Sequence, residues 1–247
     1  MTPNFLTLPD RRIAYQQQLG LSGAGIIFLG GYASDMTGTK ASFLANRCAE
    51  AGYGFLRFDY RGHGQSSGDF KDGTIGGWYE DACLVFDKLT KGPQILVGSS
   101  MGGWLALLLA LARSERVLAF VGIAAAPDFT EDLLWERLSP GQQAKLKADG
   151  LIYDDQAPPD HNPPLTLKLI EEAREHLLLR APLTISCPVY LLQGQCDEEV
   201  PWTYAQRIAE MIAHKNVKIT FVKDGDHRLS REQDLELLWQ TIKSAMS

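Results

Sequence analysis

The sequence has no two cysteines spaced as Cys-x-x-Cys, and no histidine at metal-ligand spacing from any of its four cysteines. That excludes a zinc site and a disulfide framework, and Cys48, Cys83, Cys187 and Cys196 are expected as reduced thiols. No metal or cofactor is called for. No run of Lys or Arg forms a basic stripe, and 30 acidic residues outweigh 24 basic ones, so no nucleic-acid partner is expected. The longest apolar run, Trp104 to Ala112, is far short of the ~20 residues that cross a bilayer. The opening MTPNFLTLPDRRIAYQQQ has no basic stretch leading into an apolar one, and it is too acidic and Ser-poor for a transit peptide. The expectation from these absences is a soluble, cytoplasmic protein that acts on small molecules or on other proteins.

What is present is a rhythm. Short apolar runs bounded by Gly or Pro alternate with longer segments of helical period, the pattern of an α/β fold with a mostly parallel sheet covered on both faces. Strands are predicted at 12–17, 25–29, 54–60, 95–98, 120–125, 189–193 and 218–222. Helices are predicted at 42–51, 75–89, 101–113, 203–214 and 231–245. Residues 128–186 break the alternation: they contain no strand-like run, are helical in period and are studded with prolines. A segment of this length between two strands reads as a functional helical lid on a core built from 1–127 and 187–247. Within it Leu133, Leu134, Trp135, Leu138, Leu165 and Leu169 either line an acyl channel or pack the lid on the sheet.

Gly-x-Ser-x-Gly occurs twice, as Gly98-Ser99-Ser100-Met101-Gly102 and as Gly64-Gln65-Ser66-Ser67-Gly68. A nucleophilic serine on an elbow requires a strand, a tight turn and a helix in succession. QILVGSSMGGWLALLLALA supplies all three, whereas no helix follows the second copy, which reads as a glycine-rich loop. Ser100 is the central residue of the first copy and the candidate nucleophile.

A serine hydroxyl requires a base and a carboxylate that orients the base. Elbow hydrolases run serine, acid, histidine along the chain, which excludes His63; His161 and His176 fall in the lid, and His214 sits near a helix end where a cation suits the dipole. His227 directly follows the last predicted strand, at the sheet edge where Ser100 also emerges. The loop GQCDEEVP offers Asp197, Glu198 and Glu199. An oxyanion hole is expected from the backbone N–H groups of Met101 and Tyr32, with Gly30 and Gly31 turning the chain beside the substrate.

With these stretches in place, the chain from about residue 12 onward resembles the α/β-hydrolase superfamily, whose segments GGY, FDYRGHGQSSG, the Ser100 elbow, GQCDEEVP and GDH occur in order. The early turn departs from many members in carrying Gly30 in place of His. The family spacing Gly-x-x-Asp-x-x-Val-Pro selects Asp197 as the acid. VGSSMGGWL, the stretch from 170 to 202 and DHRLS resemble more narrowly the palmitoyl-protein thioesterase branch that also cleaves acyl glucuronides, and its bacterial relatives. The resemblance implies cofactor-free hydrolysis of acyl thioesters or carboxylic esters, with a small molecule or an acylated protein as substrate. A small-ester or acyl-glucuronide carboxylesterase and a cofactor-free perhydrolase use the same residues. A dehalogenase or epoxide hydrolase requires Asp at position 100, and a non-enzymatic binder on this fold would normally lack Ser100, Asp197 or His227.

Overall fold

The computed structural model of the chain describes residues 2–21, 24–154 and 162–246. Eight strands form one sheet: β1 (Asn4–Thr7), β2 (Arg12–Gln18), β3 (Gly25–Leu29), β4 (Phe55–Phe58), β5 (Gln94–Ser99), β6 (Val117–Ile123), β9 (Val189–Gly194) and β10 (Val217–Val222). Their order is β1-β2-β4-β3-β5-β6-β9-β10. β2 is antiparallel to both neighbours and every other pairing is parallel. The parallel strands therefore all end at one edge of the sheet, where the loops that follow β3, β5, β6, β9 and β10 gather.

Alternation along the strands explains the two-sided burial. Ile27, Leu29, Leu56 and Leu96 face a core shared with α2 (Ile75–Leu89), α3 (Met101–Ala112) and α6 (Thr203–Met211). Ile26, Phe28, Ile95 and Val97 face the opposite core, under α1 (Thr39–Ala51) and α7 (Glu232–Met246). Successive side chains point to opposite faces, so a strand covered on both sides must be apolar throughout. α3 is apolar all round and almost wholly buried, as befits a helix with packed neighbours on every side. α2 starts where the Thr74 hydroxyl accepts the Gly77 N–H and lays Trp78, Ala82, Val85 and Phe86 into the core.

Several sequence expectations are corrected. β1 was not foreseen: NFLT is a short, mostly exposed edge strand with little alternation. The fourth strand ends at Phe58 and not at residue 60, because the Asp59 carboxylate takes the N–H groups of Met36 and Gln65 and the chain turns there. α6 ends at Met211, where the chain leaves the helix to pair Ile212 with Leu183. His214 is thus beyond the helix, with its Nδ1 accepting the Asn216 N–H.

Between β6 and β9 lie a π-helical turn (Thr130–Leu134), α4 (Pro140–Asp149), α5 (Leu167–Ala173) and two strands that were not expected, β7 (Leu151–Ile152) and β8 (Leu165–Thr166). Two-residue strands are too short to show alternation. His161 and most of the proline-rich stretch lie outside the described residues. Both ends of this insertion are fastened by Asp128, a fully buried carboxylate that accepts the N–H groups of Leu178 at 2.7 Å and Leu179 at 2.8 Å, with the Arg180 guanidinium 3.2 Å away. Burial pushes its pKa up, against the two N–H donors and Arg180. Replacing Asp128 by Ala leaves two buried N–H groups without an acceptor. It is expected to lower the unfolding free energy by about 2–5 kcal/mol, measured by denaturant titration.

Candidate active site

β5 passes through Ser100 into α3 without an intervening loop. Ser100 has φ 54° and ψ −120°, a conformation that residues with a side chain rarely adopt. Three hydrogen bonds hold it there: its N–H donates to the Ile123 carbonyl (2.9 Å), and its own carbonyl accepts the N–H groups of Gly103 (2.8 Å) and Ala126 (3.1 Å). Close packing adds a fourth constraint, since a Cβ on Gly102 would stand 2.1 Å from the Leu29 carbonyl oxygen. The elbow is therefore wedged between the ends of β3 and β6.

His227 and Asp197 arrive on two loops that are bolted together. The Cys196 N–H donates to the Gly225 carbonyl (2.9 Å), and a Cβ on Gly194 would stand 2.3 Å from that same oxygen, so only glycine at the end of β9 allows the approach. His227 Nε2 lies 3.1 Å from Ser100 Oγ, and His227 Nδ1 lies 2.9 Å from Asp197 Oδ2. The Asp197 side chain is completely buried. Its Oδ1 accepts the N–H groups of Glu199 (2.9 Å) and Val200 (2.8 Å), and Oδ2 also accepts from Gln193 Nε2 (2.9 Å). Gln193 is buried in β9 and was not singled out in the sequence, where a lone Gln in an apolar strand carries no signal. The exposed Glu199 carboxylate reaches to 3.4 Å from His227 Nε2, beside Ser100. Glu198 has no such contact.

Ser66, the central residue of the second Gly-x-Ser-x-Gly, is occupied differently: its hydroxyl donates to the Asp59 carbonyl and accepts the Ala14 N–H. The loop that carries it works through Asp59, whose carboxylate joins Gln65 to Met36 and so fixes the turn after β3. His63 is buried edge-on to Tyr60, Phe70 and Trp78, and burial pushes its pKa down. His176 binds Glu172, which caps the Gly76 N–H.

The turn after β3 lies over Ser100: a Cβ on Gly31 would meet the Ser100 Cβ at 3.4 Å. Among the described residues, the backbone N–H groups of Tyr32 and Met101 donate to no other protein group. The Tyr32 ring packs edge-on against Phe70, Trp78 and Phe129, and its hydroxyl donates to the Pro164 carbonyl of the insertion at 2.9 Å. A cavity of about 450 Å³ opens here, bounded by Gly31, Tyr32, Ser100, His227, Lys40 and Arg228. None of the apolar residues singled out in the insertion bounds it. Leu133 and Leu169 are buried in the main core, and Leu134 and Leu165 pack against both that core and a smaller cluster within the insertion, where Trp135 and Leu138 also pack. Lys147 and Arg174 cover the Trp135 ring.

A sequence profile of the alpha/beta hydrolase family matches residues 26–239. The chain belongs to this family. Among its curated relatives, the human protein named palmitoyl-protein thioesterase ABHD10, mitochondrial, is 38% identical over 245 residues, covering 97% of this chain and 78% of the relative. Two solved alpha/beta hydrolase structures superpose along almost the whole length. A putative hydrolase from Agrobacterium vitis has a TM-score of 0.93 at 38% identity, covering 99% of this chain and 98% of that one. Mouse alpha/beta hydrolase domain-containing protein 10 has a TM-score of 0.91 at 37% identity, with the same coverage. The expectation of a cytoplasmic protein is overturned here, because the human and mouse relatives are named as mitochondrial.

The backbone of Ser100 yields a prediction independent of any substrate. Glycine tolerates a positive φ and alanine does not. Ser100→Gly is therefore expected to be more stable than Ser100→Ala by about 1 kcal/mol, read as a higher thermal midpoint.

Proposed function

We propose that this chain hydrolyses acyl thioesters or carboxylic esters through an acyl-enzyme on Ser100. His227 acts as general base and acid, Asp197 orients it, and the N–H groups of Tyr32 and Met101 hold the oxyanion. The observation that carries this reading is the continuous line of hydrogen bonds from Ser100 Oγ through both ring nitrogens of His227 to a buried carboxylate.

In the first half-reaction the Ser100 hydroxyl gives its proton to Nε2 while Oγ attacks the acyl carbon. The tetrahedral oxyanion is held by the two N–H groups, each worth about a hundred- to a thousandfold in rate. Nε2 then returns the proton to the departing sulfur or oxygen as the bond to the acyl carbon breaks. Water repeats the sequence: Nε2 takes its proton, its oxygen attacks the acyl-serine, and Ser100 leaves with the proton. Asp197, saturated by Glu199, Val200 and Gln193, fixes the tautomer of His227 and stabilises the imidazolium without taking the proton.

The relatives' name, palmitoyl-protein thioesterase, supports thioesters as the first substrate class. We read 128–186 as a lid on a core of 1–127 and 187–247, a division supported by the Tyr32 hydroxyl bond to Pro164. A second reading, a carboxylesterase for small esters or acyl glucuronides, is favoured by the position of the insertion's leucines away from the cavity. A perhydrolase is separated by assaying peroxide with acetate.

The test is kcat/KM for a palmitoyl thioester against a butyryl one, with Ser100→Ala as the blank. Ser100→Ala is expected to lose roughly a thousandfold or more in kcat, and a fluorophosphonate to label the wild type only. Burial of only four further methylenes at about 0.8 kcal/mol each favours the long chain by roughly two hundredfold. A preference for butyryl selects the second reading, and equal rates for wild type and Ser100→Ala overturn both.

A further inference from the structure

We propose that the cavity wall beside His227 is a leaving-group subsite selective for negative charge, in which Lys40 and Arg228 receive a departing thiol or alcohol that carries an anionic group. This rests on the reading of Ser100 as nucleophile. The side of the cavity follows from the chemistry: the imidazole that protonates the leaving atom must face it, so the leaving group lies on the His227 side of Ser100. That side is built from Arg228, the residue after His227, and from Lys40 in the first turn of α1, whose Nζ donates to the Arg228 carbonyl at 2.5 Å. One contact thus joins the wall to the loop that carries the base.

Position at the cavity together with the lack of a carboxylate partner marks these two residues. Arg61, Arg113, Arg180, Arg207 and Arg231 each have a carboxylate partner. Among the described residues, neither the Lys40 ammonium nor the Arg228 guanidinium has a carboxylate within 4.0 Å, although both residues border the cavity. An ammonium has three protons to donate, and a carbonyl satisfies one. The first turn of α1 adds to the positive field, with no acidic residue and no side-chain cap at Gly38.

Carboxylates also stand near this wall, and Glu199 opposes an anion from the His227 side. Asp35 also borders the cavity, but its Oδ1 closes a turn by accepting the N–H and hydroxyl of Thr37. Glu199 is exposed and stands by His227 Nε2. Burial lowers the Lys40 pKa to about 8, against Asp226, Asp234 and Glu199 and with Arg228. A partly desolvated, unpaired cation interacts strongly with an incoming anion because little water must be removed from it.

The experiment compares two butyryl thioesters in the full-length protein, one of 3-mercaptopropionate and one of 3-mercaptopropionamide, by the ratio of their kcat/KM values. Taking this ratio in each variant cancels their intrinsic reactivities. Lys40→Met is expected to lower the anionic-to-neutral ratio about tenfold, the size of one charge-assisted contact. Arg228→Gln should lower it with Lys40 intact, and Lys40→Arg should restore part of the loss. In the wild type the ratio should fall as pH rises through about 8, as Lys40 loses its proton. A ratio unchanged in both Lys40→Met and Arg228→Gln overturns the subsite while leaving the Ser100 reading in place. Turnover of both thioesters by Ser100→Ala at the wild-type rate overturns the two together.

Discussion

The arrangement depends on one residue being kept where its backbone is least comfortable. Ser100 has a positive φ because the strand must reverse into a helix with no spare residue, and its neighbours leave it no alternative. A strand end on each side supplies the constraint: Ile123 and Ala126 grip its peptide groups, and Leu29 closes on Gly102. Such strain, of order 1–3 kcal/mol, persists only where surrounding structure over-determines it. The long apolar helix α3 and the fully buried β5 are that surrounding structure. The hydroxyl is lifted out of the sheet as a by-product of core packing.

The other groups reach the serine by similar means. β9 and β10 pair in parallel register, so their following loops leave the sheet side by side, and Gly194 lets them touch. The turn after β3 is set by Asp59 from one direction and by the aromatic cluster around Tyr32 from another. Elements far apart in sequence therefore converge because parallel strands deliver their loops to one edge.

How much of this was legible in the sequence follows from the range of each interaction. The elbow was readable because strand, turn and helix are contiguous, and α2 was readable to the residue because its apolar stripe is local. Asp59 and Asp128 were not, since each acts on backbone groups brought near only by folding, and Gln193, though four residues from Asp197, is a lone amide in an apolar strand. The leucines of the insertion had the period of a packed helix, but period does not report what a face meets; they meet the core and one another. β1 and the β7–β8 pair were too short to leave a pattern.

Asp128 bears on how much change in length the insertion tolerates. By binding Leu178 and Leu179 it closes the insertion at its base, so the spacing of its two ends does not depend on the length of chain between them. Once the ends of a loop are fixed, doubling its length costs only about 0.6 kcal/mol in closure entropy. The parts of the segment that do not pack on the core, unlike Leu133 and Leu169, can thus lengthen or shorten at little thermodynamic risk to the strands that hold Ser100. A single buried carboxylate thus limits how far a change in the length of this segment can be felt by the strand ends that hold the elbow.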